Sequence, residues 1–130
     1  MDVVIDTSAL IAVILGEPEK DKIVELTTGH TLIGPGSIPW EMGNAFSAMF
    51  KRGTLTLDQA RVGLAIFENI PIRYIQPDFP NAIKIAHQVN MYAYDAYFLD
   101  CAIRLNAPLL TLDGKLMTVA RDQNVITWEV

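Results

Sequence analysis

The stretch Val3-Val4-Ile5-Asp6-Thr7-Ser8 decides the fold of this chain, because a run of β-branched apolar residues ends abruptly at a carboxylate. A run without a polar position is typical of a strand buried on both faces, as in the middle of a parallel sheet. Asp6 then lies at the carboxyl end of that strand, where open α/β sheets place their ligand sites. The alternative is that Asp6 caps the helix predicted for the apolar run from Ala9 to Leu15. The stretch alone leaves both interpretations open.

Length and composition predict one globular domain, residues 1–130, with a core of its own. The longest apolar run, Ala9 to Leu15, is far shorter than the ~20 residues of a membrane span. No Lys or Arg precedes this run, so we expect no signal peptide. Cys101 is the single cysteine and cannot form a disulfide within the chain. These features predict a cytoplasmic protein that does not bind a membrane.

The net charge of −5 restricts how the chain can bind nucleic acid. Proteins that hold nucleic acid along an extended groove usually carry a basic surface. Three interpretations of the negative net charge remain open. The substrate is not a nucleic acid, or the contact is short and local, or the negative charge is concentrated in one pocket and balanced there by cations.

Apolar periodicity and turn residues predict strands that alternate with helices along the whole chain. The predicted strands are Val3–Ile5, Thr31–Ile33, Pro71–Ile75, Pro108–Leu112 and an edge strand at Val125–Trp128. The predicted helices begin near Asp6, Pro18, Pro39, Thr56, Pro80, Asp95 and Gly114. Alternation of this kind favours an α/β fold with a central parallel sheet of about five strands and helices on both faces.

Four carboxylates, Asp6, Glu41, Asp95 and Asp113, share one position relative to the predicted elements. Asp6 and Asp113 directly follow a buried strand, while Glu41 lies in the first turn of a helix that comes after one. Asp95 opens a helix after a loop. Strand ends and the helix starts that follow them gather at one edge of a parallel sheet, so we expect these residues to meet. The alternative is local in each case: an Asp caps its helix, and Glu41 favours the positive helix end.

Four carboxylates at one edge would repel one another, and a helix dipole supplies only about half a charge at each helix end. Such a cluster is expected to have raised pKa values or to bind cations. The side chains offer hard oxygen atoms, with no His or Cys nearby in sequence, which suits Mg²⁺ or Mn²⁺ and argues against zinc. A site of this kind favours phosphodiester hydrolysis, because the metal polarises the phosphate and reverses the local sign of charge.

Four short motifs carry a family resemblance. They are Val4-Ile5-Asp6-Thr7-Ser8, Trp40-Glu41-Met42-Gly43-Asn44, Tyr94-Asp95-Ala96 and Thr111-Leu112-Asp113. In this order and at these separations they resemble the PIN-domain family, and within it the VapC-type toxins of prokaryotic toxin–antitoxin pairs. The resemblance covers essentially the whole chain. It depends on the combination of motifs, since no single one is specific.

The resemblance implies a Mg²⁺- or Mn²⁺-dependent endoribonuclease with a PIN-like three-layer α/β/α fold. The acids that would bind the metal and serve in catalysis are Asp6, Glu41, Asp95 and Asp113. Thr7 or Ser8, together with Thr111, would hydrogen-bond to the ligands or to water. Asn44, three residues beyond Glu41, either reaches the site or makes a structural hydrogen bond. The resemblance also implies an RNA substrate, a homodimer and a cognate antitoxin whose tail covers the acidic pocket.

Two features depart from the family pattern. Asp100 falls where small apolar residues are usual, and its position about 140° around the helix from Asp95 favours a pair with Arg104 instead. Basic residues available for RNA phosphates are few, and each is equally a solvated surface charge. They are Lys51, Arg52, Lys115 and Arg121.

Aromatic residues near the acids are expected to pack against the protein. We interpret Trp40 as a packing wedge beside Glu41. Tyr92, Tyr94 and Tyr97 surround a predicted helix start, where half-buried packing is the expected role. Stacking on nucleic-acid bases is the alternative for these tyrosines.

Two further hypotheses compete with a nuclease. A phosphoacceptor signalling domain needs an adjacent acidic pair after its first strand, whereas Asp6 stands alone, and Ser8 likewise excludes an Asp-x-Asp phosphatase. Lys115 comes two residues after Asp113 instead of ending a strand, which also departs from a signalling domain. The second hypothesis is a non-catalytic module that only binds RNA or a partner protein. The complete set of four acids argues against it.

Overall fold

The protein is described by a computed structural model that covers all residues from Met1 to Val130. Four strands form its sheet: β1 (Asp2–Ile5), β2 (Thr31–Pro35), β3 (Ile72–Ile75) and β4 (Leu109–Leu110). They lie in the order β3-β2-β1-β4, and every neighbouring pair is parallel. The parallel sheet predicted from the apolar runs is therefore confirmed.

Strand β1 lies inside the sheet, as its unbroken apolar sequence predicts. Val3, Val4 and Ile5 are at most 1 % exposed. Val3 lies opposite Leu32 of β2, and Val4 lies opposite Leu109 of β4. Neighbouring strands on both edges and packed residues on both faces leave no position for a polar side chain from Val3 to Ile5.

Seven helices surround the sheet: α1 (Thr7–Ile14), α2 (Lys20–Thr27), α3 (Ile38–Arg52), α4 (Leu57–Glu68), α5 (Phe79–Val89), α6 (Ala93–Arg104) and α7 (Gly114–Asp122). Helix α4 begins with a capping box formed by Thr56 and Gln59, at the helix start predicted near Thr56. Gly53 ends α3 in the left-handed conformation, with φ of 71°. None of the seven has the length and apolar content needed to cross a membrane.

The last strands are shorter than predicted. The expected strand at Pro108–Leu112 is regular over only two residues, and the expected edge strand at Val125–Trp128 is a single parallel bridge between Leu109 and Thr127. Leu109 forms two backbone hydrogen bonds with this last segment, of 2.8 and 3.0 Å. Because β4 offers so short an edge, its outer neighbour cannot extend into a regular fifth strand.

The strand order creates a crevice at the carboxyl edge of the sheet. The chain adds β2 and β3 on one side of β1 and then returns to place β4 on the other side. Open α/β sheets bind ligands where the strand order reverses, outside the carboxyl ends of the strands. Asp6 directly follows β1 and Thr111 directly follows β4. The topology therefore brings these two residues to the same crevice.

Candidate active site

Asp6 is a buried carboxylate with a relative exposure of 5 %. Ser8 Oγ donates to its Oδ1 at 2.7 Å, and Thr111 Oγ1 donates to its Oδ2 at 2.5 Å. The Ala9 N–H also donates to Oδ1 at 3.0 Å, so Asp6 caps α1 as well. Helix capping does not account for the contact with Thr111, which lies 105 residues away in the chain.

Two hydroxyl groups join the ends of β1 and β4. The backbone N–H of Leu112 donates to Ser8 Oγ at 3.0 Å, and the backbone N–H of Asp113 donates to Thr111 Oγ1 at 2.9 Å. Ser8 and Thr111 therefore accept hydrogen bonds from the chain after β4 while they donate to Asp6. This arrangement fixes the position of the Asp6 carboxylate relative to Asp113.

Glu41 lies in the first turn of α3 and is held by two hydroxyl groups. Ser37 Oγ donates to its Oε2 at 2.7 Å, and Thr7 Oγ1 donates to its Oε1 at 3.3 Å. The family motifs predict a hydrogen-bonding role for Thr7 but not for Ser37. The signal that could have found Ser37 is its position four residues before Glu41, where the two side chains share a helix face.

The other two acids occupy different positions at their helix starts. Helix α6 has Tyr92 as its N-cap and Asp95 within its first turn, so the helix begins two residues earlier than predicted and the alternative that Asp95 is its cap is wrong. Asp113 does cap its helix, since its Oδ1 accepts from the N–H groups of Lys115 and Leu116 at 2.9 and 3.2 Å. Asp95 is therefore free of a capping role, whereas Asp113 combines capping with its place at the sheet edge.

The four carboxyl groups influence one another electrostatically. Burial raises the pKa of Asp6 to about 6, although its hydrogen bonds lower it. Burial also raises the pKa values of Glu41 and Asp95. The charge of Asp113 further raises the pKa values of Asp6 and Asp95, and the charges of Asp6 and Asp95 raise that of Glu41. The four acids thus lie within electrostatic range of one another.

The donor chemistry of this edge fits a hard divalent cation, but the spacing does not yet form a cage. No group of three or more Asp, Glu, His or Cys side chains is close enough to hold a metal ion in this arrangement. Asp6, Glu41 and Asp113 are instead held by hydroxyl and N–H donors. All four carboxylates offer oxygen, the ligand that Mg²⁺ and Mn²⁺ prefer. A cation would therefore have to bring at least three of these side chains closer together than they lie here.

A cleft of about 500 Å³ opens beside Glu41. It is also lined by Thr7, Trp40, Asn44 and Tyr94. Asn44 is exposed within it, so its side chain is available to a ligand bound next to Glu41. The participation of Asn44 in a reaction stays a prediction.

The predicted phosphate-binding residues differ in their relation to the acids. The charge of Lys115 lowers the pKa of Asp95, so this lysine lies near the acidic edge. Arg121 is engaged elsewhere, in an ion pair with Glu129. The Lys51–Arg52 pair lies exposed in the last turn of α3. Of the four predicted phosphate-binding residues, Lys115 is therefore the one whose charge acts on a site acid.

Asp100 belongs to a separate buried network. Its carboxylate is fully buried and pairs with Arg104 Nε at 3.0 Å, which confirms the predicted i,i+4 pair. It also accepts hydrogen bonds from the Asp78 N–H at 3.1 Å and from Asn81 Nδ2 at 2.9 Å. None of its hydrogen bonds goes to the four acids at the sheet edge. Asp100 therefore anchors the start of α5 to α6.

The raised pKa of Asp6 predicts a pH-dependent stability in the absence of divalent ions. The pKa of the Asp6 carboxyl is about 6 in the folded protein, against 3.8 for an unperturbed aspartate. Its protonated form therefore stabilises the fold below about pH 4, and this contribution is lost as the pH rises through about 6. Two pKa units correspond to about 3 kcal/mol. Asparagine does not titrate, so only the parent protein loses this contribution. As the pH is raised from about 4 to about 7, we expect the free energy of unfolding of Asp6→Asn to rise relative to that of the parent protein by up to about 3 kcal/mol. Urea unfolding with chelator measures both proteins, and a difference that does not change with pH would contradict the prediction.

A parallel sheet with a buried carboxylate at its switch point, and three further acids within electrostatic range, defines an α/β protein with an acidic edge at the carboxyl ends of its strands. The profile of the PIN domain matches residues 3–122, nearly the whole chain. The chain belongs to the PIN-domain family, as the motif resemblance predicted. No curated protein matches it significantly.

Solved structures share this fold at low sequence identity. PAE2754 from Pyrobaculum aerophilum superimposes with a TM-score of 0.72 at 20% identity, over 98% of this chain and 83% of that one. VapBC2 from Rickettsia felis, bound to a DNA fragment from its promoter, gives 0.67 at 18% identity, over 98% of both chains. VapBC-1 from nontypeable Haemophilus influenzae gives 0.64 at 17% identity, over 99% of this chain and 98% of that one. Identities this low establish a common fold only.

Proposed function

We propose that this chain is a Mg²⁺- or Mn²⁺-dependent endoribonuclease and the toxin of a type II toxin–antitoxin pair. The observation that carries the proposal is the buried Asp6 carboxylate, held by the hydroxyls of Ser8 and Thr111 at the switch point of the sheet. At the same edge, the charge of Asp113 raises the pKa values of Asp6 and Asp95, and the charges of Asp6 and Asp95 raise that of Glu41. Membership of the PIN-domain family, whose members are generally nucleases, supports this reading of the acids.

The residues that would hold the divalent ion are Asp6, Glu41, Asp95 and Asp113. When bound, the ion supplies Lewis-acid chemistry: it polarises a phosphate oxygen and offsets the negative charge of the pocket. Hydroxyl donors orient both oxygens of Asp6 and both oxygens of Glu41. With a pKa of about 6, Asp6 is mainly ionised at neutral pH and can accept a cation. Lys115 offsets part of the charge beside Asp95.

The proposed partners follow from the structural neighbours. VapBC2 and VapBC-1 share the fold of this chain, which supports a cognate antitoxin that binds over the acidic pocket. We include in the proposal a single domain over residues 1–130, a homodimer and a cytoplasmic location. Co-purification with the product of an adjacent small reading frame, and suppression of cleavage by that product, test the antitoxin part.

A non-catalytic module that binds RNA or a partner is the second candidate. It is favoured by one observation, that no three acidic, His or Cys side chains converge closely enough to hold a metal ion. Calorimetric titration with Mn²⁺ separates the two. Binding that is lost in Asp6→Asn supports the nuclease, and absence of binding by the parent protein supports the module.

Cleavage of single-stranded RNA is expected to depend wholly on a divalent ion. The purified protein should cut RNA with Mn²⁺ or Mg²⁺, lose this activity with excess chelator and recover it when Mn²⁺ is restored, because the phosphate cannot approach four uncompensated carboxylates. Gel analysis of a labelled RNA measures the products. Cleavage that continues unchanged in chelator would overturn the metal-dependent mechanism.

A further inference from the structure

A groove lined by aromatic side chains lies next to the acidic edge. We define the aromatic groove by Trp40, Tyr74, Phe79, Tyr94 and Tyr97. Its volume is about 440 Å³, within the range of ligand pockets. None of the residues that line it is charged, although the chain carries 15 acidic residues. The groove therefore suits an uncharged, flat ligand group.

The rings of the aromatic groove are accessible to a ligand. Trp40 is 74 % exposed, so the expectation that it is a packing wedge is wrong. Tyr94 is 52 % exposed, so about half of it faces solvent although its ring packs on Tyr97. Tyr74 and Phe79 are 45 % and 47 % exposed. Exposed aromatic residues that converge on one groove are costly to leave in water unless a ligand covers them. Tyr97 is half-buried as expected.

The aromatic groove continues directly into the cleft beside Glu41. Trp40 and Tyr94 line both the groove and the cleft. Each immediately precedes one of the site acids, Glu41 or Asp95. Ser37 also lines the groove, and its hydroxyl donates to Glu41. An RNA strand that places one phosphate at the four acids therefore has the adjacent nucleotide at the aromatic groove.

The walls of the aromatic groove are held in place before a ligand binds. Tyr97 packs edge-to-face on Phe79 and on Tyr94, with ring centroids 5.7 and 5.9 Å apart. The turn after β3 is tied down by the buried network, since Asp100 accepts from its backbone and Arg104 Nη2 donates to the Gln76 carbonyl at 2.8 Å. A rigid groove avoids the entropic cost of ordering on binding.

We infer that the aromatic groove binds one unpaired base of the RNA substrate by stacking, next to the phosphate that is cleaved. This rests on the proposed ribonuclease function for the identity of the substrate. Single-stranded RNA is commonly recognised by bases that stack on Trp, Tyr or Phe. The Gln76 amide and the tyrosine hydroxyls that line the groove can bond to the edge of a base, which an aliphatic side chain of a partner protein would leave unsatisfied.

Cleavage kinetics test the groove with matched variants. Trp40→Ala and Tyr74→Ala are expected to lower kcat/KM for a short single-stranded RNA by about 5- to 150-fold, mainly through KM, because one stacked base is lost. Trp40→Phe should retain most of the parent value. The matched control is Tyr92→Ala, which removes an 85 % exposed tyrosine outside the groove and should leave kcat/KM unchanged.

Fluorescence tests the stacking without relying on cleavage. Trp128→Phe leaves Trp40 as the only tryptophan, and Asp6→Asn in the same protein prevents loss of the RNA. A short RNA should quench Trp40 to saturation, whereas an abasic ribose-phosphate chain of equal length should not. If the parent protein cuts no RNA but Trp40 is quenched, the groove inference stands and the proposed nuclease fails. If the parent protein cuts RNA but the groove variants cut it as well as Tyr92→Ala does, the groove inference is overturned and the proposed nuclease stands. The same holds if the groove variants weaken only the binding of a partner protein.

Discussion

Asp6→Asn is expected to lower RNA cleavage by at least about a thousandfold while the protein remains folded. A metal site supplies several kcal/mol of transition-state stabilisation, and each 1.36 kcal/mol changes the rate about tenfold. Asparagine keeps the size of Asp6 and can accept from Ala9 and Ser8 while its amide faces Thr111. The substitution therefore removes the charge without leaving a cavity. Initial cleavage rates with Mn²⁺, under single-turnover conditions, measure the loss.

The matched control for this prediction is Asp122→Asn. It makes the same chemical change at an exposed residue, the last of α7, and should leave cleavage at the rate of the parent protein. Circular dichroism of both variants establishes that they are folded. Cleavage by Asp6→Asn at the parental rate would mean that the acidic edge is not the active site.

Arg104→Ala is expected to destabilise the protein by about 2–4 kcal/mol, the largest stability effect that we predict for a single surface-accessible side chain. Arg104 is 34% exposed, but its partner Asp100 is fully buried. Removing the arginine leaves a buried carboxylate with only the Asp78 N–H and the Asn81 amide as donors. Urea unfolding at neutral pH measures the change.

Arg61→Ala provides a close comparison for Arg104→Ala. Arg61 is also a helical arginine paired with an aspartate, Asp58, at 3.4 Å, but both side chains are largely exposed. Exposed pairs of this kind contribute about 0–1 kcal/mol. A similar, small cost for the two variants would show that the buried network does not hold the turn after β3 in place.

Much of the site could be located from the sequence, because it depends on where strands end. The run before Asp6 identified the central strand, and the order of strands and helices predicted that acids after strands share an edge. Whether these acids act as metal ligands stays a prediction. Their hydroxyl partners were only partly predictable: Ser8 lies close to Asp6 in sequence, whereas the pairing of Thr111 with Asp6 requires β4 to lie beside β1.

The amino-acid sequence by itself determined the parallel α/β class, the central place of β1 and the family motifs. Each of these can be recognised from a short stretch of sequence, because unbroken apolar runs and turn residues define where strands and helices begin and end. Only the tertiary structure decided which side chains meet across the chain. It places Ser37 on Glu41, buries Asp100 beneath the start of α5, and leaves Trp40 exposed in a groove where a packing wedge was expected. Whether a side chain is buried or exposed depends on how elements distant in sequence pack together. The spacing of residues within one helix or strand does not predict that packing.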